Sequence, residues 1–305
     1  MTQAIKPQER TIQSPRDWIK LAILICVIAI LSLGAHDMAI SHMGVPYPFE
    51  NHVPLLAQIV GQIIRIGSMT YACHLASWYL DQFSMPIAVA IFGLLIVMLQ
   101  GTLRDFVVTC VVTDGMLNGS WLFTLITLLP RMLNNFFNGA IAVTISRSTL
   151  SQPWVVAAAV VGVATFGRLV FLPILLKAAD WIVDVLNLTE PPEVYLPPYD
   201  FHVYMYIYGT FIEPTISSFG LVYLIWPGLK GSSNRHVLAF TVLILLIRGR
   251  VVALGLFSFW IQEPWVMAFA AEGQFFAEDL IMAGFTGLTW KYLSKPVERE
   301  GVLRI

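Results

Sequence analysis

An all-α bundle that crosses a lipid bilayer about eight times is the fold this sequence predicts, and three observations predict it. Hydrophobic residues fill 57% of the 305 positions and charged residues only 12%, with a mean hydropathy of +0.73. A soluble domain carries roughly 25% charged residues, so this chain lacks the polar surface needed to dissolve. Apolar stretches also recur at lengths that match a hydrocarbon core. Tryptophan and basic residues, finally, fall around those stretches in the pattern that a membrane imposes.

The apolar stretches lie at 18–36, 54–80, 86–108, 120–146, 153–178, 203–228, 236–260 and 264–290. About 20 helical residues cross a core of about 30 Å. Residues 18–290 therefore read as one transmembrane domain between tails 1–17 and 291–305. In the first stretch Arg16 and Lys20 precede Leu21–Leu33 as in a signal peptide. The run is long and no small-residue cleavage site follows, so it is read as a retained span. Gly101, Arg104 and Asp105 interrupt the third stretch before Phe106–Val112 resumes it, which predicts a broken or re-entrant outer end. Pro130 predicts a kink in the fourth. Between the fifth and sixth, Asp180–Asp200 holds two Pro-Pro pairs and several carboxylates, and reads as a semi-rigid outer connection. The fourth and eighth share a pattern: Trp121 before Asn135-Phe136-Phe137-Asn138, and Trp265 before Gln274-Phe275-Phe276-Ala277-Glu278. A four-plus-four tandem repeat would leave that trace, and chance sharing of a Phe-Phe pair is the competing account.

All nine tryptophans fall near a proposed span end, where an indole keeps its N–H wet. With the N-terminus inside, Lys6, Arg10, Arg16, Lys20, Arg147, Lys230, Arg235, Lys291, Lys295, Arg299 and Arg304 are cytoplasmic, while Arg104 and Lys177 lie outside. This positive-inside bias predicts both termini in the cytoplasm, and a multi-pass protein of the bacterial inner membrane.

Ionisable groups at bilayer depth carry the functional signal. Arg65, Arg131, Arg168, Arg248, Arg250, Glu213, Glu272, Glu278 and Asp279 fall well inside the proposed spans. Each costs about 2.5–3.5 kcal/mol at mid-membrane unless it turns inward. Arg131, Asn134, Asn135 and Asn138 stand at i, i+3, i+4 and i+7 and so share one helix face. They are expected to face an acidic stripe on the eighth span, with Glu213 as a further partner. Arg131, Asn134, Asn135, Asn138, Glu213, Glu278 and Asp279 are the candidate substrate-binding residues, supported by Arg65, Arg168, Arg248, Arg250 and Glu272. Packing glue between helices is the competing use of such groups.

Other chemistries find little here. HExxH, GxSxG, phosphate-loop and lipidation motifs are absent. Glu278 and Asp279 diverge by about 100° on a helix and do not make a simple dyad. His36, Asp37, His42 and His52 cluster around the first outer loop at a spacing that fits no metal site. Cys26, Cys73 and Cys110 form no CxxC pair and read as small apolar residues. A net charge of -1 excludes a basic nucleic-acid binder. No cofactor or metal is expected, and the partners are the bilayer, a small polar or anionic solute, and a second copy or membrane-complex subunit. The leading expectation is a small-solute or ion-coupled carrier. A sensor or assembly subunit that binds without transport is the alternative, and a lipid-modifying enzyme the second.

Overall fold

A computed structural model describes residues 10–48, 53–113, 120–148, 152–190, 201–261 and 263–296. They are almost wholly helical, as expected of an all-α chain. Helix α1 (Pro15–Asp37) starts at Ser14, whose Oγ accepts a hydrogen bond from Asp17 N at 3.1 Å, with Pro15 in the first turn. Both are strong helix-start features. A π-helical turn, Met38–His42, follows. Then come α2 (Leu55–Leu75), the short α3 (Ser77–Leu80), α4 (Met85–Leu99), α5 (Thr102–Val112) and α6 (Trp121–Arg147). The fifth apolar stretch is α7 (Pro153–Phe166), a π-helical turn Gly167–Phe171, and α8 (Leu172–Val185). The sixth is α9 (Phe201–Thr210) with α10 (Ile212–Ile225), and the seventh is α11 (Ser233–Ile247) with α12 (Arg250–Gly255). Helix α13 (Trp265–Leu293) is the eighth.

Among the described residues, three helical stretches are long and apolar enough to cross a membrane: Pro15–His42, Met85–Val112 and Pro153–Val185. Only 28%, 44% and 17% of their most apolar windows are buried, so these helices turn greasy flanks outward. Ile23, Ile30, Leu94, Val161, Leu169 and Ile174 are all exposed. A belt of large apolar side chains on this scale is what lipid solvates and water does not. Helices α2, α6 and α13 run 21, 27 and 29 residues but carry interior polar groups that lower their apolar character.

The expected break in the third stretch falls at Gly101, which has φ 67° and separates α4 from α5. A second break, not foreseen, falls at Gly249 with φ 79°, between α11 and α12. Side chains strain a left-handed backbone, and glycine does not. Asp180 and Asp184 belong to α8, so the outer connection begins later than expected. Its two Pro-Pro pairs, with Glu50, His52 and Asp114, lie outside the described residues.

Helix α1 packs along α13, α4 along α6 and α10, α2 along α6 and α11, α11 along α13, and α6 along α8. The α4–α6 approach is backbone-close, because a Cβ on Gly139 would sit 2.9 Å from Gly93 Cα. At one end of the bundle Trp78, Tyr79, Tyr223 and Trp290 stack edge to face, and Trp78 Nε1 donates to Leu224 O at 2.7 Å. Trp226 and Trp290 are buried here, so these indoles serve the core rather than the headgroup layer. Trp154 and Trp265 are exposed. Near the same end β1 (Arg10–Thr11) pairs antiparallel with β2 (Lys295–Pro296), and Arg10 Nη2 donates to Ser294 O at 2.8 Å.

Candidate functional site

A helix that breaks leaves carbonyl oxygens without an intrahelical donor. The two glycine breaks solve this for each other. Gln100, beside Gly101, donates through Nε2 to Ile247 O at 3.2 Å, and Arg248, beside Gly249, donates through Nη1 to Leu99 O. Arg65 Nε also reaches Ile247 O, at 3.2 Å. The restarted helix α5 is capped from a distance. Glu213 Oε2 accepts from Arg104 N at 2.6 Å and Oε1 from Leu103 N at 3.3 Å, placing a carboxylate at the positive end of the helix.

Helix α6 brings its polar stripe to the same region. Asn138 is fully buried and accepts from Gln62 Nε2 at 2.9 Å, while Asn135 accepts from Arg65 Nη2 at 3.4 Å. Gln58, Gln62 and Arg65 lie at i, i+4 and i+7 on α2, the same one-face spacing as the α6 stripe. Arg168 sits in the π-helical turn and bonds Gln58 Oε1. Such bulges widen a helix and re-aim a side chain.

The acidic groups of α13 are satisfied differently from expectation. Asp279 Oδ2 accepts from Nε of both Arg248 and Arg250, each at 2.7 Å, and Glu278 Oε1 lies 3.7 Å from Arg248 Nη2. The seventh stretch thus supplies the cations that were expected from the fourth. Arg248 and Arg250 flank Gly249 directly, the break that aims them, whereas α6 packs chiefly on α2, α4 and α8. His36 Nδ1 lies 3.8 Å from Glu278 Oε2, and its ring packs on Phe275. His36 therefore turns inward, away from the outer loop. Among the described residues no three of His, Cys, Asp and Glu gather as a metal-ligand set.

Between these walls lies a cavity of about 860 Å³. Arg131, Asn134, Asn135 and Glu278 line it, as do all five supporting charges, Arg65, Arg168, Arg248, Arg250 and Glu272. Three candidate residues do not. Asn138 is held behind the wall by Gln62, Asp279 behind it by two arginines, and Glu213 is engaged as the cap of α5. Seven further polar residues line the cavity without having been nominated: Tyr47, Gln58, Gln62, Gln100, Thr102, Arg104 and Asp105. Arg104 was expected in an outer segment. Its guanidinium lies 3.6 Å from Asp105 and 5.1 Å over the Phe211 ring. The helical spacing of Gln58, Gln62 and Arg65 was a usable signal in the sequence. Nothing local announced Gln100 and Arg104, whose place depends on the break.

Arginine and amide groups in one cavity of this volume suit the binding of polar or anionic groups, since guanidinium and amide N–H groups are donors in fixed geometry. The chain matches no protein-family model, no curated protein and no solved structure.

Proposed function

We propose that this protein is a multi-pass carrier of the bacterial inner membrane that crosses the bilayer eight times, holds both termini in the cytoplasm, and binds a small solute in the central cavity. Pairing of β1 with β2 supports an even number of crossings, because it brings the two tails to one end of the bundle. The positive-inside bias assigns that end to the cytoplasm.

A four-plus-four repeat is the second part of the proposal. Exchanging each apolar stretch for the one four places along maps the packed pairs onto one another. The third–fourth pair (α4, α6) becomes the seventh–eighth (α11, α13), and the first–eighth (α1, α13) becomes the fifth–fourth (α8, α6). Likewise α2 on α6 becomes α10 on α13, and α2 on α11 becomes α10 on α4. Gly101 corresponds to Gly249, and Leu99 and Gln100 to Ile247 and Arg248, so the mutual carbonyl bonds are the same contact made twice. Tandem repeats with an even number of spans relate by an axis along the membrane normal, and interrupted helices at matching positions of two halves point to a transport site.

The observation that carries the reading is that the two interrupted helices meet at a cavity lined by inward-turned charges. The test is flux into proteoliposomes holding the full chain, across a panel of sugars, amino acids and organic anions. Arg131→Ala and Glu278→Gln should each abolish the flux that the unaltered protein supports, with insertion intact. Unchanged flux in both variants sinks the carrier. Solute binding without any flux would make the protein a sensor or assembly subunit instead.

A further inference from the structure

The cavity wall is richer in positive than negative groups. Six arginines line it (Arg65, Arg104, Arg131, Arg168, Arg248 and Arg250) against the carboxylates of Asp105, Glu272 and Glu278. Adding Asp279 and Glu213 from just behind the wall still leaves guanidinium in excess among the described residues. The excess is unevenly placed. Arg248 and Arg250 share Asp279, and Arg104 has Asp105 beside it. Arg65 and Arg168 line the cavity from α2 and the π-helical turn, and also bond Asn135 and Gln58. Arg131 makes no hydrogen bond or ion pair among the described residues. Arg131 is exposed and lines the cavity, where an anionic occupant would give its guanidinium a partner.

We propose, resting on the cavity being the solute site argued above, that its ligand is a hydroxylated organic anion with a single oxyanion group, carboxylate or phosphate. Arg65, Arg131 and Arg168 hold the oxyanion. A guanidinium presents a planar fork that fits such oxygens two at a time. The hydroxylated end lies toward Glu272 and Glu278, which accept hydroxyl hydrogens and repel a second anionic group. Amide side chains both donate and accept, which is what hydroxyls need. Asn134 and Asn135 stand about one turn from Arg131, and Asn134 Oδ1 has no hydrogen-bond partner among the described residues. Phe257 and Phe275 add apolar lining for the carbon body of the ligand. The volume excludes a bare inorganic ion as the natural fit and suits a sugar-sized body, since small-molecule sites run about 300–1,000 Å³.

Calorimetric titration of the full chain in phosphatidylcholine nanodiscs tests this with glucose 6-phosphate, gluconate, glucose and succinate as probes. Expected is binding of at least one of the two hydroxylated anions, weakening as salt rises, with glucose and succinate at least tenfold weaker. Arg131→Gln should weaken the anion at least tenfold and leave glucose unchanged. Arg168→Gln should do the same in a second position, provided it elutes as the unaltered protein does. Adding phosphatidylglycerol to the discs separates two sources: competition identifies a lipid headgroup as the occupant, no competition a free solute, and either supports the oxyanion. Glucose binding as tightly as its phosphate, anion affinity indifferent to Arg131→Gln, or no probe binding to folded protein would each overturn the proposal. Binding without flux in vesicles would keep this ligand class and remove the carrier. Flux confined to neutral sugars would keep the carrier and remove this ligand class.

Discussion

Gln100 donates to the backbone carbonyl of Ile247 at 3.2 Å, across 147 residues of chain, and Arg248 returns the bond to Leu99. Each broken helix thus finishes the hydrogen bonding of the other, and the two hinges are locked face to face at the cavity. Gln100→Leu should cost about 1 kcal/mol, the net worth of one neutral hydrogen bond, because Arg65 still serves Ile247 O. Thermal unfolding in nanodiscs measures this. An unchanged midpoint would mean that the hinge is held by packing alone.

Asp279 is the anchor for two arginines, and removing it should be far worse. Asp279→Ala leaves Arg248 and Arg250 without their shared carboxylate in the interior, a loss of about 3–5 kcal/mol. The expected readout is protein that fails to accumulate in the membrane. Asp279→Asn keeps an oxygen acceptor and should accumulate at an intermediate level. Normal amounts of folded Asp279→Ala would show that water or Glu278 takes over the charge.

Glu213 is predicted to act on stability and to leave ligand affinity alone. Its carboxylate caps α5, so Glu213→Ala should lower stability by about 1–2 kcal/mol and speed proteolytic cleavage near Gly101. Glu213→Gln, which keeps an acceptor, should recover most of the loss. Ligand binding abolished at unchanged stability would place Glu213 in the cavity after all.

The α4–α6 seam tolerates no side chain at Gly139. A Cβ there meets backbone of Gly93 at 2.9 Å, so Gly139→Ala must push the helices apart and should cost about 1–3 kcal/mol. Gly162→Ala is the control, since nothing lies within 4 Å of its added Cβ. Equal unfolding midpoints for the two variants would contradict the seam.

Solvent access separates the belt from the cavity. After Cys26, Cys73 and Cys110 are replaced, single cysteines at positions 131 and 134 should react with a small water-soluble thiol reagent. Cysteines at 23, 94 and 174 should resist it, because lipid covers them. Prior incubation with a bound anion should protect position 134, where Arg131 is intact. Rapid labelling of the belt positions would refute a membrane setting for those helices.

The polar stripe of α6 and the charges Arg65, Arg168, Arg248, Arg250 and Glu272 were legible in the sequence because ionisable groups in apolar stretches have few tolerable destinations. Their partners were not. Helical spacing gave the face of Arg131 but not what stands across from it, and the natural guess, an acidic stripe on the eighth stretch, was already taken by Arg248 and Arg250. Glu213 looked like a cavity carboxylate because only the folded chain shows an uncapped helix beginning 110 residues earlier.

The sequence by itself determined that these helices are apolar, roughly where each begins and ends, and that its charges must turn inward. Those are matters of local composition and period, decided within about 20 residues by the cost of exposing polar groups to hydrocarbon. Only tertiary structure decided that Gly101 and Gly249 meet, that Asp279 and Glu213 serve as anchors, and that Arg131 is left facing a cavity. Those facts depend on contacts between residues up to 150 positions apart, whose pairing no local pattern encodes.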